Sequence, residues 1–198
     1  MPKTVDYYFS PMSPWTYLGH QRFTEILART GAQVKVKPVD YGRIFPVSGG
    51  LPLKQRAPQR QSYRLAELRR WREYLNVPLT LEPKYFPYAT DGATLAIIAA
   101  DRQYGAAAAM KLAHGILRGC WAEERNCADA ATLDQIITAA GLDSTALRAR
   151  ETEAKSAYEA YTQEAIERQV FGAPSYVVDG EIFWGQDRLD FLERALKK

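Results

Sequence analysis

"FSPMSPWTYLG", residues 9–19, carries two Ser-Pro steps three residues apart, between the alternating run Val5-Asp6-Tyr7-Tyr8-Phe9 and a helix-like stretch. Which serine opens the helix decides how the chain turns here. With Ser10 as N-cap and Pro11 first in the helix, Pro14 falls at N4, where its missing N–H removes the first intrahelical hydrogen bond. With Ser13 as N-cap, Pro14 sits at N1, where proline is favoured. Ser13 is therefore expected to begin the helix at the C-terminal end of the first strand, its hydroxyl among unpaired N–H groups at the positive end of the helix dipole. Capping alone accounts for such a serine. A role in chemistry needs support from elsewhere in the chain.

Working outward, residues 4–9 read as a strand, 14–30 as a helix, and "AQVKVKPVD" (32–40) as a second, imperfectly alternating strand, which makes a β-α-β unit. "RIFPVSGGLPLKQRAP" (43–58) reads as a loop rich in Gly and Pro. The pattern then turns helical over 59–75, 92–104, 106–117, 131–140 and 145–169, interrupted only by the extended-looking "NVPLTLEP" (76–83). The chain end reverts to strands: "SYVVDGEIFWG" (175–185) is two alternating runs joined by Asp179-Gly180, a strong hairpin signal, followed by a helix over 187–196. This order predicts an α/β chain: a thioredoxin-like domain whose sheet comes from both ends, residues 1–45 and 165–198, with a large all-helical insertion over 46–164.

The 198 residues are 46% hydrophobic and 25% charged, enough for one globular core with an inserted subdomain and too apolar for disorder. No run approaches the roughly 18 apolar residues of a membrane span. Residues 1–6 show no apolar leader core, so a cytoplasmic location away from membranes is expected. The formal net charge is only +3, yet residues 41–80 hold eight Lys/Arg against Glu67 and Glu73. A solvated helix face explains part of that excess, and a site attracting a small anion is the functional reading. Nucleic acid is not expected, because no reading motif accompanies the basic patch.

Cys120 and Cys127 lie seven apart, neither a redox C-x-x-C pair nor a metal set with matching histidines, and read as buried inert thiols. His20 and His114 each stand alone in sequence and read as structural. No metal site is expected.

"SPMSPWTYLG" (10–19), "GCWAEERNCADAATLDQIITAAGLD" (119–143) and "VFGAPSYVVDGEIFWGQDRL" (170–189) together resemble the 2-hydroxychromene-2-carboxylate isomerase family, kin of the kappa-class glutathione transferases and more distantly of the DsbA oxidoreductases. The resemblance runs in one order over nearly the whole chain. It implies glutathione as cofactor, a small-molecule substrate that is an aromatic or polyaromatic catabolic acid, and a homodimer as the assembly. Ser13 then stands where the family activates the glutathione thiol. Ala173-Pro174 corresponds to its cis-proline step, Gln186 and Asp187 to the positions holding the γ-glutamyl end, and Pro58 joins the implied glutathione-binding set. Lys54, Arg56 and Arg60 are candidates for steering the anionic ligands.

Two departures stand out. Gly50 occupies the place of a glutathione-contacting family Asn, with Lys54 or Arg56 as candidate replacements. "EPKYFPYATDGATLAI" (82–97) lacks the usual Asn after Phe-Pro, in the region the resemblance assigns to the second substrate. The resemblance implies a glutathione-dependent isomerase. The alternatives are a kappa-like transferase or peroxidase, and a non-catalytic binding module on a thioredoxin scaffold.

Overall fold

In the computed structural model, which describes residues 2–198, the first strand β1 (Thr4–Phe9) is buried from Val5 to Phe9. Side chains on both of its faces are covered, which is the environment of a central strand. β1 pairs in parallel with β2 (Gln33–Pro38), Tyr7 opposite Val36, after a crossover through α1 (Pro14–Thr30). On its other side it pairs antiparallel with β3 (Ser175–Val178), Tyr8 opposite Ser175, and β3 continues through a hairpin into β4 (Glu181–Trp184). The sheet order is β2-β1-β3-β4. Asp179 (φ 51°) and Gly180 (φ 85°) both take left-handed conformations at the hairpin turn, as a two-residue loop between twisted strands requires. This is the thioredoxin-like α/β arrangement the sequence predicts, its strands drawn from both ends of the chain.

Between β2 and β3 the chain forms α2 (Tyr41–Ser48), α3 (Pro58–Leu75), α4 (Asp91–Tyr104), α5 (Ala106–Trp121), α6 (Ala130–Ala139), α7 (Ser144–Arg148) and α8 (Glu151–Glu167), and α9 (Leu189–Leu196) follows the hairpin. One face of the sheet sends Val5, Tyr7, Phe9 and Tyr176 into the larger core with Phe23, Ile98, Leu112 and Leu192. The other face places Tyr8 and Val177 under Ile44 of α2 and Ala165 of α8. Among the described residues, no helix is long and apolar enough to cross a membrane.

Four local expectations are corrected. Residues 43–48, read as loop, belong to α2: Asp40 caps it by accepting from the Gly42 N–H at 2.7 Å, and burial of Ile44 against the sheet outweighs Pro46 inside the helix. The single helix expected over 145–169 is two, because Asp143 caps α7 and the chain turns at Arg150 (φ −100°, ψ 10°) before α8. The extended-looking 76–83 joins no sheet; the Thr80 N–H finds its partner in the Trp121 carbonyl at the end of α5 (2.7 Å). The last helix opens with a 3-10 turn at Gln186–Arg188, so α9 starts only at Leu189.

The two histidines are packing groups, joined in one stack with ring centroids 5.8 Å apart. His20 is fully buried, its Nδ1 3.1 Å from the Tyr7 hydroxyl and its Nε2 2.9 Å from the Met110 carbonyl. A carbonyl only accepts, so Nε2 carries the proton and Nδ1 takes the one from Tyr7. Burial holds the imidazole neutral and pushes its pKa down to about 4. The unfolded chain therefore binds the extra proton first as pH falls, and stability should drop by about 3 kcal/mol between pH 6.5 and 4 from this group alone. Urea unfolding as a function of pH checks this: His20→Asn should flatten that part of the profile, and an unchanged slope would exclude His20 as its source.

Candidate active site

Four chain segments converge on one end of the sheet, at the C-terminal end of β1. The turn Ser10–Ser13 leaves β1 there, the Val39 N–H bonds the Phe9 carbonyl at 3.0 Å, Pro174 precedes the residue opposite Tyr8, and Gly185 follows the residue opposite Ser175. The register of the strands thus brings Ser13, Ala173-Pro174, Gln186 and Asp187 to one end of the sheet, although the first lies far from the others in sequence.

Ser13 is the N-cap of α1, its Oγ accepting from the Thr16 N–H at 3.2 Å, with Pro14 at the first helical position. No acidic side chain occupies the first turn of α1, so nothing on the helix itself neutralises its positive end. The turn is held from the helical region: the Tyr88 hydroxyl donates to the Pro11 carbonyl (2.9 Å) and the Trp121 indole N–H to the Met12 carbonyl (3.2 Å). Ser13 itself is only half-buried, so its hydroxyl remains accessible.

In the segment that leads into β3, the Ala173–Pro174 peptide bond is cis. The Gly172 carbonyl is taken by both the Tyr41 hydroxyl (2.9 Å) and the Ser175 hydroxyl (2.7 Å), and the Pro174 carbonyl by the Gly185 N–H (2.9 Å). The Ala173 N–H and C=O between them take no partner among the described residues. They are suited to an extended peptide-like ligand. Gln186 is buried, its side-chain oxygen accepting from Arg22 of α1 at 2.9 Å, so what it can offer a ligand is chiefly backbone. The N–H groups of Gln186 and Asp187 open the final helical segment without partners among the described residues, a place for a carboxylate. The Asp187 carboxylate lies 3.1 Å from Arg188 and is accessible to an amine. Gly185 permits this turn: its φ is 102°, and a Cβ there would fall 2.5 Å from the Asp187 carboxylate.

The remaining sequence candidates lie at the entry to α3. Pro58 is its exposed first residue, beside exposed Lys54 and Arg60 and half-buried Arg56, whose Nε donates to the Leu51 carbonyl at 2.8 Å. Gly50 is packed on Phe45, whose ring would meet an added Cβ at 2.3 Å, so the Asn expected from the family cannot be restored here without moving that ring. Sequence reasoning did not single out Tyr88 or Trp121. Their part depends on contacts between segments far apart in the chain, for which no local pattern exists.

Cys120 and Cys127 are both free and buried. Burial pushes the Cys120 thiol up to about 12 and the Cys127 thiol up to about 11, and neither sits at a helix N-terminus.

A mixed sheet with a proline-led helix after its first strand and a cis-proline turn before the hairpin defines a DsbA-type thioredoxin domain. The family model of the DSBA-like thioredoxin domain matches residues 4–197, and the chain belongs to that family. Within it, the chain is 32% identical to the 2-hydroxychromene-2-carboxylate isomerase of Sphingobium xenophagum over 99% of each chain. It is 26% identical to the isomerase of the same name from Pseudomonas putida, covering 97% of this chain and 93% of that one. A solved 2-hydroxychromene-2-carboxylate isomerase superposes with a TM-score of 0.80 at 26% identity, covering 98% and 94% of the two chains. These full-length matches support an isomerase function.

The buried thiols generate a first expectation for the site. In the native protein at pH 8 both cysteines should react with an aromatic disulfide reagent about 100-fold or more slowly than a free thiol, and both should titrate at once on denaturation. Rapid reaction of either in the folded protein would restore a redox reading.

Proposed function

We propose that this chain is a glutathione-dependent isomerase of the 2-hydroxychromene-2-carboxylate type, acting on a conjugated aromatic or polyaromatic acid of catabolic origin. The observation that carries the reading is the half-exposed Ser13 hydroxyl at the bare positive end of α1, at the same end of the sheet as the unpartnered backbone of Ala173. When bound, glutathione would supply a thiol able to add reversibly to a conjugated double bond and so free its rotation. Ala173 would hold the cysteinyl part through its N–H and C=O. The N–H groups of Gln186 and Asp187 suit the γ-glutamyl carboxylate, and the Asp187 carboxylate suits the adjacent amine.

Ser13 accepts one hydrogen bond as a cap and still has its own proton to donate, which would stabilise a thiolate. The gain from that alone is small. Lowering a thiol pKa of ~8.5 by ~2 units raises the thiolate at pH 7 roughly 25-fold, but the accompanying loss of nucleophilicity is about 8-fold, leaving ~3-fold. Holding the reacting atoms together is worth ~7 kcal/mol or more, so the rigid turn around Ser13 matters more than its acidity. A soluble homodimer acting in the cytoplasm is part of this proposal.

A kappa-like transferase would use the same residues, and stoichiometry separates the two. With glutathione at about a hundredth of the concentration of 2-hydroxychromene-2-carboxylate, an isomerase should carry the reaction to equilibrium with the thiol titre unchanged. Thiol consumed in proportion to product would refute the isomerase reading while leaving the glutathione site standing. A binding module would show neither.

Ser13 has its own test. Ser13→Ala should cost about 1 kcal/mol of stability whether the residue caps or also reacts. Ser13→Asp keeps the cap but brings a charge and no donatable proton, repulsion of roughly 1 to 4 kcal/mol against an anionic sulfur at about 4 Å. Wild-type thermal stability with activity reduced at least about tenfold is the expected result, and full activity would confine Ser13 to capping.

A further inference from the structure

Arg64, in the second turn of α3, lies with its guanidinium carbon 5.3 Å from the Phe86 ring centre and 5.8 Å from that of Trp121. Those two rings pack on each other at 4.8 Å, and Trp121 is the residue whose indole holds the Met12 carbonyl beside Ser13. The arginine is thus linked through Trp121 to the Ser13 turn. Contact with the rings restrains the guanidinium without using its five N–H donors.

Those donors have no acceptor among the described residues. Arg64 forms neither a hydrogen bond nor an ion pair there, and the two carboxylates of its own helix are engaged elsewhere, Glu67 by Arg70 and Glu73 by Arg72. Its charged neighbours toward the start of α3 are cations. Arg60 lies one turn before it on α3, and Arg56 stands at the entry to that helix, close enough to both to repel them. Burial, and after it the charge of Arg56, push the Arg64 guanidinium down to about 10, the mark of a cation removed from water without a counter-ion. An unpaired arginine withdrawn from water is costly to keep. Here it is held against aromatic rings, its fork free for a planar anion.

We propose that Arg64 receives the carboxylate of the second substrate and so selects conjugated aromatic acids over their neutral counterparts. Half-buried Phe86, packed on Trp121, would offer an apolar surface to the arene, and the guanidinium would take the carboxylate in a two-point hydrogen bond. Arg56 and Arg60 raise the local potential that draws the acid in. The assignment rests on Ser13 being the reacting site, since it is from that turn that the position of Arg64 gains meaning.

Titration of the glutathione-loaded protein with 2-hydroxycinnamate and with 2-hydroxycinnamamide tests the assignment without turnover. The wild type should bind the acid about tenfold or more tightly than the amide. Arg64→Gln should abolish that preference, with amide affinity, glutathione affinity and melting temperature close to wild type, and Arg64→Lys should retain part of it as a charge without the fork. A preference that survives in Arg64→Gln, equal or absent binding of acid and amide by the wild type, or a parallel loss of glutathione affinity would each overturn the proposal. A wild type that prefers the acid yet fails to isomerise 2-hydroxychromene-2-carboxylate would instead remove the isomerase reading and leave the role of Arg64 intact.

Discussion

The Ser13 hydroxyl caps α1, and on the proposed reading the same oxygen also donates its proton to a ligand; the geometry of a hydroxyl lets it do both. A lone pair accepts the Thr16 N–H and fixes the start of α1, while the proton on the same oxygen stays available to whatever lies above the turn. Capping and chemistry are therefore not competing accounts of this residue. The cap is what holds the donor in place: Pro14 at the first helical position and the β-region backbone of Ser13 (φ −78°, ψ 124°) leave its side chain pointing across the helix end. A hydroxyl fixed this way gives up its orientational entropy during folding and not when ligand arrives.

The turn that carries Ser13 is short, and its rigidity comes from far away in sequence. Tyr88 and Trp121 reach it from the helical region and bond the carbonyls of Pro11 and Met12, groups that would otherwise need water in a half-buried loop. Each bond contributes on the order of 1 kcal/mol, modest for the whole fold but large for so short a turn. In the segment before β3, Tyr41 and Ser175 both hold the Gly172 carbonyl and leave the next residue unbonded. The helical region thus does more than cover the sheet edge. It positions the Ser13 turn, and through Trp121 it ties the platform of Arg64 to the same loop.

Much of this is legible in the sequence, for reasons that differ element by element. The first helix is bounded by Ser13-Pro14 and by Gly31 in the left-handed region, and Asp179-Gly180 specifies a two-residue turn, so local chemistry alone suffices there. α2 is hidden because Gly42, Pro46 and Gly49 carry the composition of a loop, while what makes it a helix is Ile44 buried against the sheet. The same limit applies to the site. Ser13 stands out locally as a cap and the Ala173-Pro174 step through the family resemblance, but Arg64 is one basic residue among eight in its segment until Trp121, 57 positions away, is brought beneath it.

How the chain treats another cation withdrawn from water shows what is unusual at Arg64. On the second face of the sheet, buried Lys37 lies 2.8 Å from Asp6 and 2.7 Å from Glu164, and Arg168 pairs with both of those carboxylates at 3.1 and 3.0 Å. Two positive and two negative groups neutralise each other there, and nothing is left for a ligand. The pairing follows the general rule that a charge taken out of water keeps a partner. Half-buried Arg64 breaks that rule, with Arg56, bonded only to a backbone carbonyl, and exposed Arg60 as its cationic neighbours, and through Trp121 it is tied to a helix start that combines a capping serine with no acidic first turn. Arg56 stands close enough to both Arg60 and Arg64 to repel them, a cost that binding of an anion would relieve. On the proposed reading the anion that relieves it comes from outside the chain, and the aromatic surface beneath Arg64 suits one attached to a ring.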